Sequence, residues 1–117
     1  MKRGDMYYAN LDPTLGSEIA KRRPVLIIRN DRNNRASDTV TIVPITSNIE
    51  HVYPFEVFLA AGDSGLPKPS KAQAQQIRTI SKQRLGSQPC GRIGAGLMAQ
   101  IERAIRLHLG MWSAECQ

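Results

Sequence analysis

Metal chemistry finds little to work with in this 117-residue chain: His51 and His108 lie far apart, and Cys90 and Cys116 have no ligand spacing. Zincin, paired Cys-x-x-Cys and EF-hand arrangements are missing, so no metal and no cofactor is expected. Two late cysteines make a poor disulfide framework; they fit a reducing cytosol in which both thiols are bystanders. A Gly-x-Ser-x-Gly elbow and a phosphate-cradling P-loop are absent too, which argues against an activated serine and against NTP-driven work. No apolar run approaches the roughly 20 residues of a membrane span, and no signal-peptide core follows Met1. The expectation is one soluble cytoplasmic domain over residues 1–117, with no membrane partner.

Basic residues are also missing from the middle of the chain. Residues 36–66 hold no Lys or Arg and four acids, whereas residues 1–35 and 67–117 hold eight basic side chains each, for a net charge of +6. A fold that joins the two ends would build one positive surface suited to a polyanion, with salt-sensitive affinity.

Strand patterns dominate what is present. Asp5 to Leu11 is rich in strand formers and stops at Asp12-Pro13; residues 12–23 read as a long loop with the cluster Lys21-Arg22-Arg23. Pro24 to Ile28 is a continuous apolar run, as in a strand buried on both faces. After a polar turn from Asn30 to Ser37, Thr39 to Thr46 forms a third strand, with Pro44 suggesting an edge or bulge. Phe55 to Leu59 alternates again, a loop spans 61–65, and another strand is expected from about Lys71 to Ile77. Ile80 to Leu85 suggests a helical turn, and Cys90 to Ile93 a last short strand. From Ala95 to Leu109 the apolar spacing changes to three and four, the mark of an amphipathic helix ending near Gly110, with His108 close to its packing face. The fold class is therefore mainly β with a C-terminal helix: a small antiparallel sheet or barrel closed by that helix.

Arg, Thr, Ser, Glu and Gln at strand ends and in loops suit a reaction whose nucleophile the substrate carries. RNA does so, since its 2′-hydroxyl can attack the adjacent phosphorus while the protein aligns groups, moves protons and stabilises charge. These residues permit that chemistry without selecting it.

Selection comes from Gly16-Ser17-Glu18, then Arg23-Pro24-Val25-Leu26-Ile27-Ile28 and Asn30-Asp31, preceded by Asp12-Pro13. Further along stand Val43-Pro44-Ile45-Thr46, Tyr53-Pro54-Phe55-Glu56-Val57 and Gln76-Ile77-Arg78-Thr79-Ile80. In this order the segments resemble the MazF/PemK family of endoribonuclease toxins from bacterial type II toxin-antitoxin systems. The resemblance implies a homodimer of SH3-like barrels with single-stranded RNA in a groove at or near the dimer interface. It implies metal-free cleavage leaving a 2′,3′-cyclic phosphate and a 5′-hydroxyl, and restraint by an acidic antitoxin whose flexible tail fills the positive groove. A related gyrase poison of the same fold supplies the alternative, a non-enzymatic toxin with a protein target; an inactive RNA-binding or ribosome-associated module is a third.

The resemblance also implies the site. Its catalytic pair falls on Arg23 and Thr46. A guanidinium stays protonated at ordinary pH and grips two phosphate oxygens well, which favours transition-state stabilisation as the task of Arg23. Glu18 is a candidate general base or a partner that orients Arg23. Ser17, Lys21, Arg22, Tyr53, Gln76 and Arg78 are expected at the RNA, with Lys21 and Arg22 as steering charges and Tyr53 as an exposed stacking ring. One departure stands out: some members carry an acid immediately before the Gln of Gln-x-Arg-Thr, with an Arg two residues upstream, and this chain has Gln75 and Gln73 there. Proton transfer then falls to Glu18, Thr46 or Arg23.

Overall fold

The computed structural model describes residues 1–18 and 21–111, with the backbone alone for 33–35. Trp112, a further ring that could stack on a base, and Cys116, one of the two thiols expected to be bystanders, lie outside the described residues.

The apolar run from Pro24 supplies the last four residues of β2 (Arg22–Ile27), which lies between β1 (Asp5–Asn10) and β3 (Thr39–Thr46). Side chains alternate across a strand, so a continuous apolar run must be covered on both faces. Leu26 accordingly packs with Met6, Val43 and Ile45 on one face, while Val25 and Ile27 pack with Tyr7, Ala9, Val40 and Ile42 on the other. The remaining strands are β4 (Glu56–Leu59), β5 (Ser70–Gln73), β6 (Arg78–Ser81) and β7 (Gly91–Arg92). Every pairing is antiparallel, in the order β4-β5-β3-β2-β1-β7, with β6 also on β3. The curled antiparallel sheet with its terminal helix bears out the expected fold class.

Helix α3 (Ala95–Leu109) spans the expected residues and ends at Gly110, whose left-handed conformation lets its N–H reach the last-turn carbonyls. Met98, Ile101 and Ala104 close the first core face. Burying a side chain such as Ile101 contributes about 1.5–3 kcal/mol. Because β1 pairs with β7, the chain's two basic ends meet.

Local departures have local causes. The stretch expected as a polar turn contains α1 (Asp31–Ala36), which has no apolar period to reveal it; Asp31 instead accepts from the Arg3 N–H at 2.6 Å. The 61–65 loop contains a helical turn, α2 (Ala61–Ser64), closed by Gly65 at φ 82°. The strand expected to run to Ile77 ends at Gln73, and Ala74–Gln76 forms a 3₁₀ turn. Of the helical turn expected over Ile80–Leu85, Ile80 and Ser81 belong instead to β6 (Arg78–Ser81), and only Lys82–Arg84 is helical. Pro44 sits in a central strand, not an edge. It falls where β3 exchanges β6, paired as far as Ile42, for β5, paired from Ile45, so a missing N–H is tolerated between the two ladders. His108 lies four residues beyond Ala104, in line with the packing stripe, but it is exposed because the helix no longer packs there: every residue from Arg106 to Met111 is exposed.

Candidate active site

Arg22 and Arg23 belong to β2 rather than to the loop before it. That placement gives Arg23 a fixed neighbour. Val25 faces Pro44 across the β2–β3 ladder, so two residues back along β2 and two forward along β3 bring Arg23 opposite Thr46 on the same face. Arg23 Nη1 donates to Thr46 Oγ1 at 3.3 Å, and the Asn48 N–H donates to the same oxygen at 3.2 Å. A hydroxyl has two lone pairs and one proton. Both lone pairs are engaged, so the Thr46 proton is left to donate, polarised by the two bonds it follows.

A cavity of about 260 Å³ opens beside this pair, lined by Arg22, Arg23, Ser47, Lys68 and neighbouring residues. Its three cations, Arg22, Arg23 and Lys68, give it a positive rim suited to a phosphate. Arg22 is exposed and lies over the Tyr8 ring, 5.1 Å from the centroid, which steadies a flexible cation. Lys68 had no distinguishing sequence signal: an isolated lysine between Pro67 and Pro69 reads as a solvated loop residue.

A second group gathers at the β1–β2 loop. Glu18 Oε1 accepts from the Leu15 N–H at 3.1 Å, and Glu18 Oε2 stands 3.9 Å from Arg78 Nη1. Gln76 Nε2 donates to the Ser17 carbonyl at 3.4 Å. Gln76 and Arg78 thus brace the segment carrying Ser17 and Glu18. The Arg78 Nη1 atom is buried without a hydrogen bond among the described residues, a donor suited to an anionic ligand. Lys21 is exposed and left-handed at φ 70°, its N–H bonded to Asp12 Oδ1 at 3.1 Å, which turns the chain into β2.

Tyr53 is 51% exposed, as expected. Its ring stacks on Phe55 with centroids 5.6 Å apart and lies 5.7 Å from Lys71 Nζ. Of the other rings, Tyr7 is buried, whereas Phe58 is 46% exposed and does not pack the core.

A buried charge pair beside Thr46 has no signal in the sequence pattern. Glu56 accepts from Lys71 at 2.9 Å, Gln75 at 2.7 Å, Gln73 at 3.3 Å and the Tyr53 N–H at 3.1 Å. Burial alone pushes this carboxyl up; the bonds from Gln75, Lys71, Tyr53 and Gln73 outweigh it and hold the group below the usual carboxylate range. The alternation Phe55-Glu56-Val57 marks a strand, but nothing in it says that an acid faces inward.

Residues 2–109 match the model of the PemK-like, MazF-like toxin of type II toxin-antitoxin systems. The chain is 45% identical to endoribonuclease MazF9 of Mycobacterium tuberculosis, covering 97% of this chain and 99% of that protein. It is 38% identical to endoribonuclease EndoA of Bacillus subtilis, covering 95% and 96% respectively. Among solved structures, a mycobacterial endoribonuclease in complex with its cognate antitoxin superposes with a TM-score of 0.78 at 26% identity, over 97% of this chain and 99% of that one. MazF from Deinococcus radiodurans shares the fold with a TM-score of 0.83, covering 95% and 97% at 24% identity. With its motifs, its curled sheet and almost its whole length matched, the chain belongs to the PemK-like, MazF-like family of toxins from type II toxin-antitoxin systems.

Proposed function

We propose that this protein is an endoribonuclease toxin that cleaves single-stranded RNA without a metal and is restrained by a cognate antitoxin. The relatives named as endoribonucleases support the activity, and the related toxin solved with its antitoxin supports the restraint. The observation that carries the site is the cross-strand bond between Arg23 and Thr46 at the edge of a cationic cavity.

In the reaction, the 2′-oxygen forms a bond to phosphorus as the bond from phosphorus to the 5′-oxygen breaks. The 2′-hydroxyl loses a proton and the 5′-oxygen gains one, leaving a 2′,3′-cyclic phosphate and a 5′-hydroxyl. Negative charge grows on the non-bridging oxygens in between. Arg23 faces that charge with a fork of donors, and the Thr46 hydroxyl supplies another; such preorganised donors are worth most where water is excluded. Glu18 takes the 2′-proton or acts through its partner Arg78. Arg22, Lys21 and Lys68 draw the backbone in, while Ser17, Gln76 and Tyr53 contact the RNA beyond the scissile phosphate. An acidic antitoxin tail occupies the same positive surface. The working form is a cytoplasmic homodimer with RNA near the interface.

A long single-stranded RNA incubated with the protein in EDTA tests this directly. Cleavage is expected at defined positions with cyclic-phosphate ends, and a single 2′-deoxy substitution at a mapped position should abolish the cut there. Intact RNA would refute the nuclease reading and favour a toxin that acts by binding a protein target.

A further inference from the structure

Thr46 has a second neighbour besides Arg23. Across the β3–β5 ladder it is directly paired with Lys71, which is paired in turn with Phe58 on β4, so Arg23, Thr46 and Lys71 stand side by side on one face of the sheet. The Lys71 side chain is 9% exposed and its partner Glu56 only 1%. Two cations flanking one small hydroxyl would repel, and a buried ammonium without a partner is heavily disfavoured. Glu56 removes both difficulties, because it pairs with Lys71 from the next strand.

The same pair reaches into two stretches of chain next to the site. Lys71 Nζ donates to the His51 carbonyl at 2.5 Å and Glu56 accepts from the Tyr53 N–H, which ties down the segment that leaves Thr46. On the other side Glu56 holds the amides of Gln73 and Gln75, at the start of the 3₁₀ turn that delivers Gln76 to Ser17. An ionised carboxylate only accepts, so both amides must turn their NH₂ ends toward it. Their carbonyl oxygens are left buried with no hydrogen-bond partner among the described residues. A network that tolerates two such oxygens is held by the anion at its centre.

The geometry points to the buried Glu56–Lys71 pair as a positioning element of the cleavage site, one that sets Thr46 and the Gln76 turn relative to each other without touching RNA. The inference rests on the proposed ribonuclease activity. Because Gln75 is one hydrogen bond from Glu56, the carboxylate can be moved within the network by exchanging the two residues.

Glu56→Gln, Gln75→Glu, the double exchange E56Q/Q75E, and the charge-free pair E56Q/K71M would be assayed on a cleavable RNA oligonucleotide in EDTA, with thermal midpoints measured in parallel. Misplacing reacting groups by a fraction of an ångström lowers kcat by about tenfold to a hundredfold. That loss, with KM little changed, is expected for E56Q, with recovery in the double exchange. E56Q/K71M leaves no charge buried without a partner, so it should stay folded and still lose kcat. Wild-type kcat in E56Q or in E56Q/K71M would overturn the proposal. So would a double exchange that regains the thermal midpoint but not kcat. No cleavage by the unmodified protein would instead refute the nuclease reading on which the proposal stands.

Discussion

Replacing Arg23 by lysine separates catalysis from folding more sharply than any other change at the site. Arg23 lies opposite Ala9 in the β1–β2 ladder, whose backbone bonds do not depend on its side chain. Its 3.3 Å bond to Thr46 is slightly longer than the usual range, so the loss of that bond by itself should lower stability by only about 1 kcal/mol. Lysine keeps the positive charge, and steering of RNA should survive. What it loses is the planar fork that grips two phosphate oxygens at once. Removing one preorganised donor from a transition-state site typically lowers kcat by about 10²–10³, or about 2.7–4 kcal/mol of barrier. The expected variant is therefore folded, binds RNA with nearly unchanged affinity and cleaves it at least about a hundredfold more slowly. Single-turnover cleavage of an oligonucleotide, with urea unfolding as the control, measures both quantities. A variant within about threefold of wild type would refute the stabilising role, as would a loss of stability equal to the loss of barrier lowering.

Other outcomes follow from the same geometry. Thr46→Val removes the acceptor of the Arg23 and Asn48 donors as well as the proposed donor to phosphate, so it should lose cleavage and about 1–3 kcal/mol of stability in denaturant titrations. The Glu56 carboxyl is held low in the folded protein, so its contribution to stability is complete above the ordinary carboxylate pKa of about 4.3 and disappears as pH falls through its depressed folded value. Unfolding midpoints measured from neutral to acid pH should fall more steeply for wild type than for Glu56→Gln; parallel curves would contradict this. Lys68→Ala should weaken RNA binding and lower the slope of log affinity against log salt by about one if the lysine neutralises a phosphate at the cavity rim. An unchanged slope would exclude Lys68 from the phosphate path.

Sequence patterning carried much of this protein. The apolar run from Pro24 required a strand covered on both faces, and the spacing of Met98, Ile101 and Ala104 required a helix with one buried stripe, because periodicity reports local geometry directly. The motif around Arg23 pointed to the toxin family, which the match over residues 2–109 establishes. What no local pattern carried was partnership across the sheet. That Arg23 meets Thr46 and that a buried Glu56 meets Lys71 and Gln73 are consequences of strand register, whereas the meetings of Arg78 with Glu18 and of Gln75 with Glu56 depend on where the β1–β2 loop and the 3₁₀ turn fold back onto the sheet. Register joins residues far apart in the chain, and an acid in an alternating strand looks the same whether it faces water or a buried lysine. The tertiary structure alone decided that Glu56 faces the lysine, and it thereby placed a buried charge pair beside the residue expected to share catalysis with Arg23.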